Sequence, residues 1–205
     1  MEKPSQYYEK REEYESICPV CHSTIKIIET IYQMPKIGWV LIVSFKCNEC
    51  GFKKTDTLPL QLRNHRRIYL RIEDKADLYT KLVRSSSASI FIPELGVEIR
   101  PGPITPFTIT NVEGLLHRVL DALKSLEVLG EEVNEDVRAM FERIIDEGGE
   151  ITIIIDDPWG ISMIEPIGPG GGKIIMEEVE GEVEEKWRGK VGGENPRPPC
   201  PQPGL

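Results

Sequence analysis

Two Cys-x-x-Cys pairs constrain this chain more than any other feature: Cys18-Pro19-Val20-Cys21 and Cys47-Asn48-Glu49-Cys50, the second followed by Gly51. A two-residue spacer lets both sulfurs of a pair turn toward one point. Four thiolates delivered as two knuckles are the donor set of a closed tetrahedral Zn2+ site. Gly51 permits the left-handed backbone such a turn often needs. The 25 residues between the pairs exceed the usual zinc spacing of roughly 15–20, and their composition explains the excess. Residues 25–32 and 39–45 are β-branched strands in pattern, joined at Met34-Pro35-Lys36-Ile37-Gly38. A hairpin there carries the second pair back beside the first. The spacing predicts a four-cysteine zinc ribbon over residues 17–60 with one structural Zn2+.

Other uses of the four cysteines fit less well. Disulfides suit a secreted chain, but residues 1–16 are charged and lack the apolar segment of a signal peptide. A thioredoxin-like site needs one Cys-x-x-Cys in a βαβ setting, which neither pair has. An iron–sulfur cluster is chemically open to four thiolates, and zinc is preferred to it. His22 reads as an exposed neighbour of a shell that four sulfurs already fill. Cys200 lies in a Pro-rich tail and reads as a bystander.

With 205 residues, 40% of them hydrophobic, the chain can hold one fair-sized domain beside a small metal-stabilised one. No apolar run approaches the roughly 20 residues that span a bilayer, so a soluble, cytoplasmic protein is expected. A net charge of −9 opposes broad binding to nucleic acid. One local exception is the basic cluster Arg63, His65, Arg66, Arg67 and Arg71, with Tyr69 interleaved. It is the basis of an alternative reading as a nucleic-acid-binding zinc ribbon. The blander reading is a solvated strand face, with Ile68, Leu70 and Ile72 pointing inward.

Further along, residues 52–58 alternate as a third ribbon strand. Residues 78–83, 88–92 and 97–99 read as β segments, and residues 101–106 as a Pro/Gly loop. Thr110 and Glu113 fit a capping box. It opens a helix on Val112, Leu115, Leu116, Val119, Leu120, Leu123 and Leu126. A second helix on Val137, Met140, Phe141, Ile144 and Ile145 stops at Gly148-Gly149, so a helical hairpin is expected at about 111–147. His117 lies beside the apolar stripe. Residues 151–155 form a buried strand, broken at Asp156-Asp157-Pro158-Trp159-Gly160 and resumed over 161–167. The paired carboxylates invite an enzyme with a second metal, but Asp-Pro-x-Gly is ordinary turn chemistry. Residues 168–173 imitate a phosphate loop without its Ser/Thr or its helix, and read as a hairpin loop before a last strand at 173–179. The expected organisation is a flexible lead-in (1–16), the ribbon, a β-rich domain with the hairpin (61–180) and a disordered acidic and Pro/Gly tail (181–205).

In this order the motifs resemble the ZPR-one zinc-finger family. The matching stretches are the four-cysteine ribbon with residues 44–52, Asp77-Leu78, Val83-Arg84-Ser85, Ile92-Pro93-Glu94-Leu95 with Glu98-Ile99, residues 110–116 and residues 155–162. The resemblance implies a zinc ribbon followed by a β-rich domain of double-stranded β-helix type carrying a helical hairpin. It also implies a non-enzymatic protein that binds translation elongation factor one-alpha and assists its folding. Eukaryotic members carry the module twice and also contact receptor tyrosine kinases, whereas here it occurs once, as in the archaeal form. Asn111 stands where a second Thr is usual, and Ile161 where Asn is usual. The candidate site residues are the metal ligands Cys18, Cys21, Cys47 and Cys50, and partner contacts at the hairpin tip with Trp39 and at the turn with Asp156, Asp157 and Trp159. No catalytic residue is assigned.

Overall fold

The computed structural model describes residues 8–103, 105–166 and 173–179. The loop expected at 168–172 and the tail from 181 onward, with Cys200, lie outside them. The ribbon is a four-stranded antiparallel meander: β1 (Tyr8–Ile17), β2 (Thr24–Met34), β3 (Gly38–Lys46) and β4 (Lys53–Pro59), in that order across the sheet. Because the strands alternate in direction, the β1–β2 and β3–β4 turns share one end, and each carries a cysteine pair. Registry closes the arrangement, with Ile17 opposite Thr24 and Lys46 opposite both Lys26 and Lys53.

Strand β1 corrects the expected flexible lead-in for residues 8–16. From Lys10 to Ile17 every side chain is exposed, so the segment shows no apolar period. It is held by its backbone ladder to β2 and by contacts such as Tyr14 to Glu29.

Strand β3 is apolar throughout because it works on both faces. Leu41, Val43 and Phe45 pack with Cys18, Cys47, Ile25, Ile27 and Phe52 behind the knuckles. Val40 and Ile42 join Ile37, Val83, Phe107 and Met163 against the larger domain.

That larger domain is two sheets and a helical hairpin around one core. The first sheet contains β5 (Arg66–Ile72), β7 (Ser89–Ile92), β8 (Val97–Ile99), β10 (Ile151–Asp157) and β12 (Lys173–Glu178), in the order β12-β5-β10-β7-β8. The second contains β6 (Lys81–Arg84), β9 (Thr108–Asn111) and β11 (Met163–Glu165), in the order β11-β6-β9. Alternation decides which side is core: Ile68, Leu70 and Ile72 of β5 lie opposite Ile155, Ile153 and Ile151 of β10, all six buried.

The hairpin consists of α1 (Val112–Val128) and α2 (Glu135–Glu147). Val112, Leu116, Leu120, Phe141 and Ile144 enter the same core. Each such buried side chain is worth about 1.5–3 kcal/mol. Both open ends of the hairpin are tied to one segment, since the Val112 amide donates to the Thr80 carbonyl and the Lys75 ammonium to the Asp146 carbonyl. The chain is mainly β with an α-helical hairpin, as the sequence predicts.

Three local expectations shift. The helix cap is Asn111, whose Oδ1 accepts from the Gly114 amide at 2.8 Å, while Thr110 pairs with Leu82 in β9. Asn caps as well as Thr does, so the unusual Asn111 keeps the local function. Residues 76–79 form a 3-10 turn rather than the start of a strand, because the Asp74 carboxylate accepts from the Ala76 and Asp77 amides. After the Asp-Asp-Pro turn, strand resumes only at Met163. The amides of Ile161 and Ser162 donate to the Asp157 carboxylate at 2.9 and 2.6 Å and are lost to any ladder.

Candidate metal centre and adjoining groove

The two knuckles are built alike. The Cys18 amide donates to the Ser23 carbonyl and the Cys47 amide to the Phe52 carbonyl, both at 2.8 Å. The residue after each pair takes a left-handed backbone, Gly51 at φ 74° and His22 at φ 60°. All four Sγ atoms lie within 4.8 Å of one another, with Cys18–Cys50 and Cys21–Cys47 each 3.6 Å apart. A Zn–S bond of about 2.3 Å sets the edge of a tetrahedron of four sulfurs at about 3.8 Å. A disulfide holds its sulfurs at about 2.05 Å, and the four cysteines are free thiols. The irons of a cluster would stand the sulfurs further apart. The donor set and its spacing fit one zinc ion. His22 is exposed and outside the group.

Electrostatics point the same way. The Ser23 hydroxyl and the Cys50 amide bring the Cys47 thiol down to about 6. The Phe52 amide favours the Cys50 thiolate, but desolvation and the neighbouring thiols outweigh it and push Cys50 up to about 12. Crowded sulfurs cannot all ionise unaided, and a dication removes that conflict. Ser23, with its hydroxyl 3.0 Å from Cys21 Sγ and 3.3 Å from Cys47 Sγ, has no sequence signature beyond following a cysteine pair.

Two largely apolar cavities that share Phe45 and Lys54 together form a groove along the ribbon, starting near the knuckles. Its first stretch, a cavity of about 320 Å3, lies among Ile17, Pro19, Ile25, Phe45 and Phe52. Its second, about 440 Å3, lies among Val43, Phe45, Leu58, Pro106, Phe107 and Trp159. Phe45 and Lys54 line both. The groove thus joins the metal end of the ribbon to the Asp156–Gly160 turn of the larger domain. Val43 and Phe45, alternate positions within an otherwise continuous apolar strand, are its one trace in the sequence.

The turn is organised by Asp157. Its buried carboxylate accepts from the Ser85 and Ser87 hydroxyls, both at 2.6 Å, and from the Trp159, Ile161 and Ser162 amides. Burial alone would raise the carboxyl pKa, but these donors outweigh it and hold it below the ordinary Asp value. Asp157 is 0% exposed, which corrects its expected role as a partner contact: it fixes the turn from inside. Trp159 is held on both sides, with its amide on Asp157 and its carbonyl accepting from the Arg63 amide at 2.9 Å. Gly160 has φ 64°, and a Cβ there would stand 2.0 Å from the Asn64 carbonyl oxygen. Gly160→Ala is expected to destabilise the fold by at least about 2 kcal/mol, read as a lowered midpoint in thermal melting.

The remaining candidates are placed differently. Asp156 accepts from His65 Nε2 at 2.8 Å and Arg67 Nε at 3.2 Å, so the two carboxylates share no metal. Among the described residues the cysteines are the one group that could hold an ion. The hairpin tip is an internal contact. Ile37 is buried against Val83, Lys36 pairs with Glu165 at 2.6 Å, and Arg63 donates to the Lys36 and Ile37 carbonyls. Trp39, half-buried beside it, accepts from the Leu60 amide. Three arginines of the basic cluster are paired where they stand, and Arg63 is turned onto the hairpin tip. Arg66 faces Glu178, Arg67 faces Asp156, and Arg71 bonds Glu94 and Glu150. Among the described residues no free cationic stripe is left there for a phosphate backbone.

Residues 76–187 match the family model of the ZPR1 jelly-roll domain. An uncharacterized ZPR1-like protein of Methanocaldococcus jannaschii is 41% identical over 170 residues, 80% of this chain and 85% of that protein. An uncharacterized ZPR1-like protein of Pyrococcus horikoshii is 32% identical over 79% of this chain and 77% of its own length. The zinc finger chaperone of Schizosaccharomyces pombe is 32% identical over 75% of this chain, which spans 35% of that longer protein. No described helix is long and apolar enough to cross a membrane.

Proposed function

The chain belongs to the ZPR1 zinc-finger family, and from that membership we propose that it is a cytoplasmic protein-binding module that docks on translation elongation factor one-alpha and assists its folding. Zinc is held by Cys18, Cys21, Cys47 and Cys50. The metal stiffens the ribbon, and the ribbon presents the groove. The observation that carries the reading is that the cavity at Ile17 and Phe52 and the cavity at Trp159 share Phe45 and Lys54 as lining. An apolar cleft ending in a braced tryptophan is the form of a protein-docking anchor. The relative named a chaperone supports a non-catalytic role. Asp156 and Trp39 contribute at the margins, the first by holding His65 and Arg67, the second by bracing the tip.

Pull-down of the zinc-loaded protein from a lysate of its own or a related organism, read by mass spectrometry, is expected to enrich the elongation factor. Failure to enrich it in either nascent or mature form sinks the proposal. With the purified factor, Trp159→Ala should weaken binding about 30-fold, the loss of roughly 2 kcal/mol typical of a tryptophan hot spot. An unchanged affinity would remove the groove from the interface.

A further inference from the structure

A second cavity, remote from the zinc groove, lies beneath α1. Among the described residues the two sheets of the larger domain each end in an edge strand, β8 in one and β9 in the other. Helix α1 roofs the gap between them. The space is about 420 Å3, within the range of small-molecule sites. Its walls are Leu82, Ile90, Ile99, Leu115, Val119 and Leu123.

The rim is cationic, in a chain whose net charge is −9. Arg84, Arg100 and Arg118 stand there against the single carboxylate of Glu98. Glu98 already holds Arg100 through two bonds of 2.6 and 2.8 Å. Arg84 has no carboxylate partner among the described residues, and its guanidinium donates to the Ala88 carbonyl at 3.1 and 2.9 Å. That leaves its remaining edge to the cavity. Arg118 is exposed on α1, with no ion-pair partner among the described residues. Desolvation first, and the nearness of Arg118 second, lower the Arg84 pKa.

An apolar chamber with two guanidinium groups at its mouth that have no ion-pair partner among the described residues selects a particular chemistry. The body of the ligand must be apolar to fill the chamber, and one end must be anionic to meet the arginines. We infer that the cavity beneath α1 binds a small amphipathic anion, of the type of a medium-chain carboxylate, with its tail among Leu82, Leu115 and Val119 and its charged end between Arg84 and Arg118. This inference stands apart from the elongation-factor reading, which concerns the groove at Trp159.

The test uses the full zinc-loaded chain and the fluorophore 1-anilinonaphthalene-8-sulfonate, an apolar ring system bearing one anionic group. Saturable binding at micromolar concentration is expected, with displacement by dodecanoate but not by dodecyltrimethylammonium. Arg118→Glu should weaken dodecanoate at least about tenfold while Arg118→Lys stays within about threefold, and Trp159→Ala should leave binding unchanged. Ala122→Trp, from an exposed position on α1, should block the chamber. Circular dichroism confirms that each variant is folded. Absence of saturable binding overturns the inference. So does equal competition by the cationic amphiphile, or indifference to both Arg118→Glu and Ala122→Trp. Displacement by an acidic apolar peptide but not by dodecanoate would assign the cavity to a protein segment and overturn it equally.

Discussion

Removal of zinc by a strong chelator is expected to unfold the knuckle end of the ribbon and leave the larger domain folded. The core behind the knuckles is small, consisting of Cys18, Ile25, Ile27, Val43 and Cys47 with Leu41, Phe45 and Phe52 packed against them. Two of its five buried members are the thiols themselves. A structural Cys-rich site contributes about 10–16 kcal/mol of apparent binding energy at neutral pH, far more than so few side chains supply by burial. Without the ion the crowded thiols return to partial protonation, as the Cys50 pKa of about 12 implies, and nothing holds the two turns together. The loss should be graded along the strands. Residues 17–28 and 43–54 become protease-sensitive, while the far end of the hairpin, fixed by Ile37, Val40 and the Lys36–Glu165 pair, keeps its protection. Hydrogen exchange with and without chelator reads this directly, and Cys47→Ser should reproduce it. A zinc-free preparation with an intact, protected knuckle end would contradict the assignment. Partner binding should fall with the metal, since the first half of the groove is built on Ile17, Pro19 and Phe52.

Replacing Asp157 is expected to have the next largest effect. Five donors converge on its carboxylate inside the protein. In Asp157→Asn the amide oxygen can keep Ile161 and Ser162, and the Ser85 and Ser87 hydroxyls can turn to accept from the new NH2. The Trp159 amide then loses its carboxylate acceptor. A cost of about 2–3 kcal/mol follows for Asn, and of about 4 kcal/mol for Ala, which abandons all five donors. For a chain of this size each kcal/mol lowers the melting midpoint by about 2–4 °C. The pH dependence has a definite sign. The folded carboxyl titrates below its unfolded value of about 3.9. Its stabilisation is therefore complete above that value and is lost as pH falls through the folded one. The stability gap between wild type and Asp157→Asn should be constant from neutral pH to about 5 and narrow only below about 4. A gap that narrows near neutrality would mean the carboxyl is not held ionised. Although Asp157 touches no partner, its loss should weaken partner binding by releasing Trp159.

Much of this architecture is legible in the residues because it rests on local pattern. The knuckles announce themselves by spacing, with Gly51 placed where the turn requires it. The alternation of Ile68, Leu70 and Ile72, and the helical period from Val112 to Leu123, place those segments correctly because each buries one face of a regular element. Strand β1 gives no such signal, for the complementary reason. From Lys10 to Ile17 it buries neither face, and what holds it is a backbone ladder that leaves no mark on side-chain choice. Thr110 and Asn111 differ by one position, and only strand pairing of Thr110 with Leu82 decides which of them caps the helix.

The candidate site divides along the same line. Four cysteines in two pairs dictate a tetrahedral thiolate site wherever the chain brings them together, since the chemistry resides in the residues. Tertiary structure decided the rest. It turned Asp157 inward and Asp156 onto His65 and Arg67, two adjacent carboxylates whose fates depend on which side of β10 each faces. It neutralised the arginines of β5 with acids from β8's neighbour Glu94, from Glu150 and from β12, all distant in sequence. It pressed the hairpin tip onto the larger domain and so made the ribbon and the Trp159 turn one groove. Pair spacing is a property of the chain alone, but a surface belongs to segments far apart in sequence, and only their packing says which side chains remain outside.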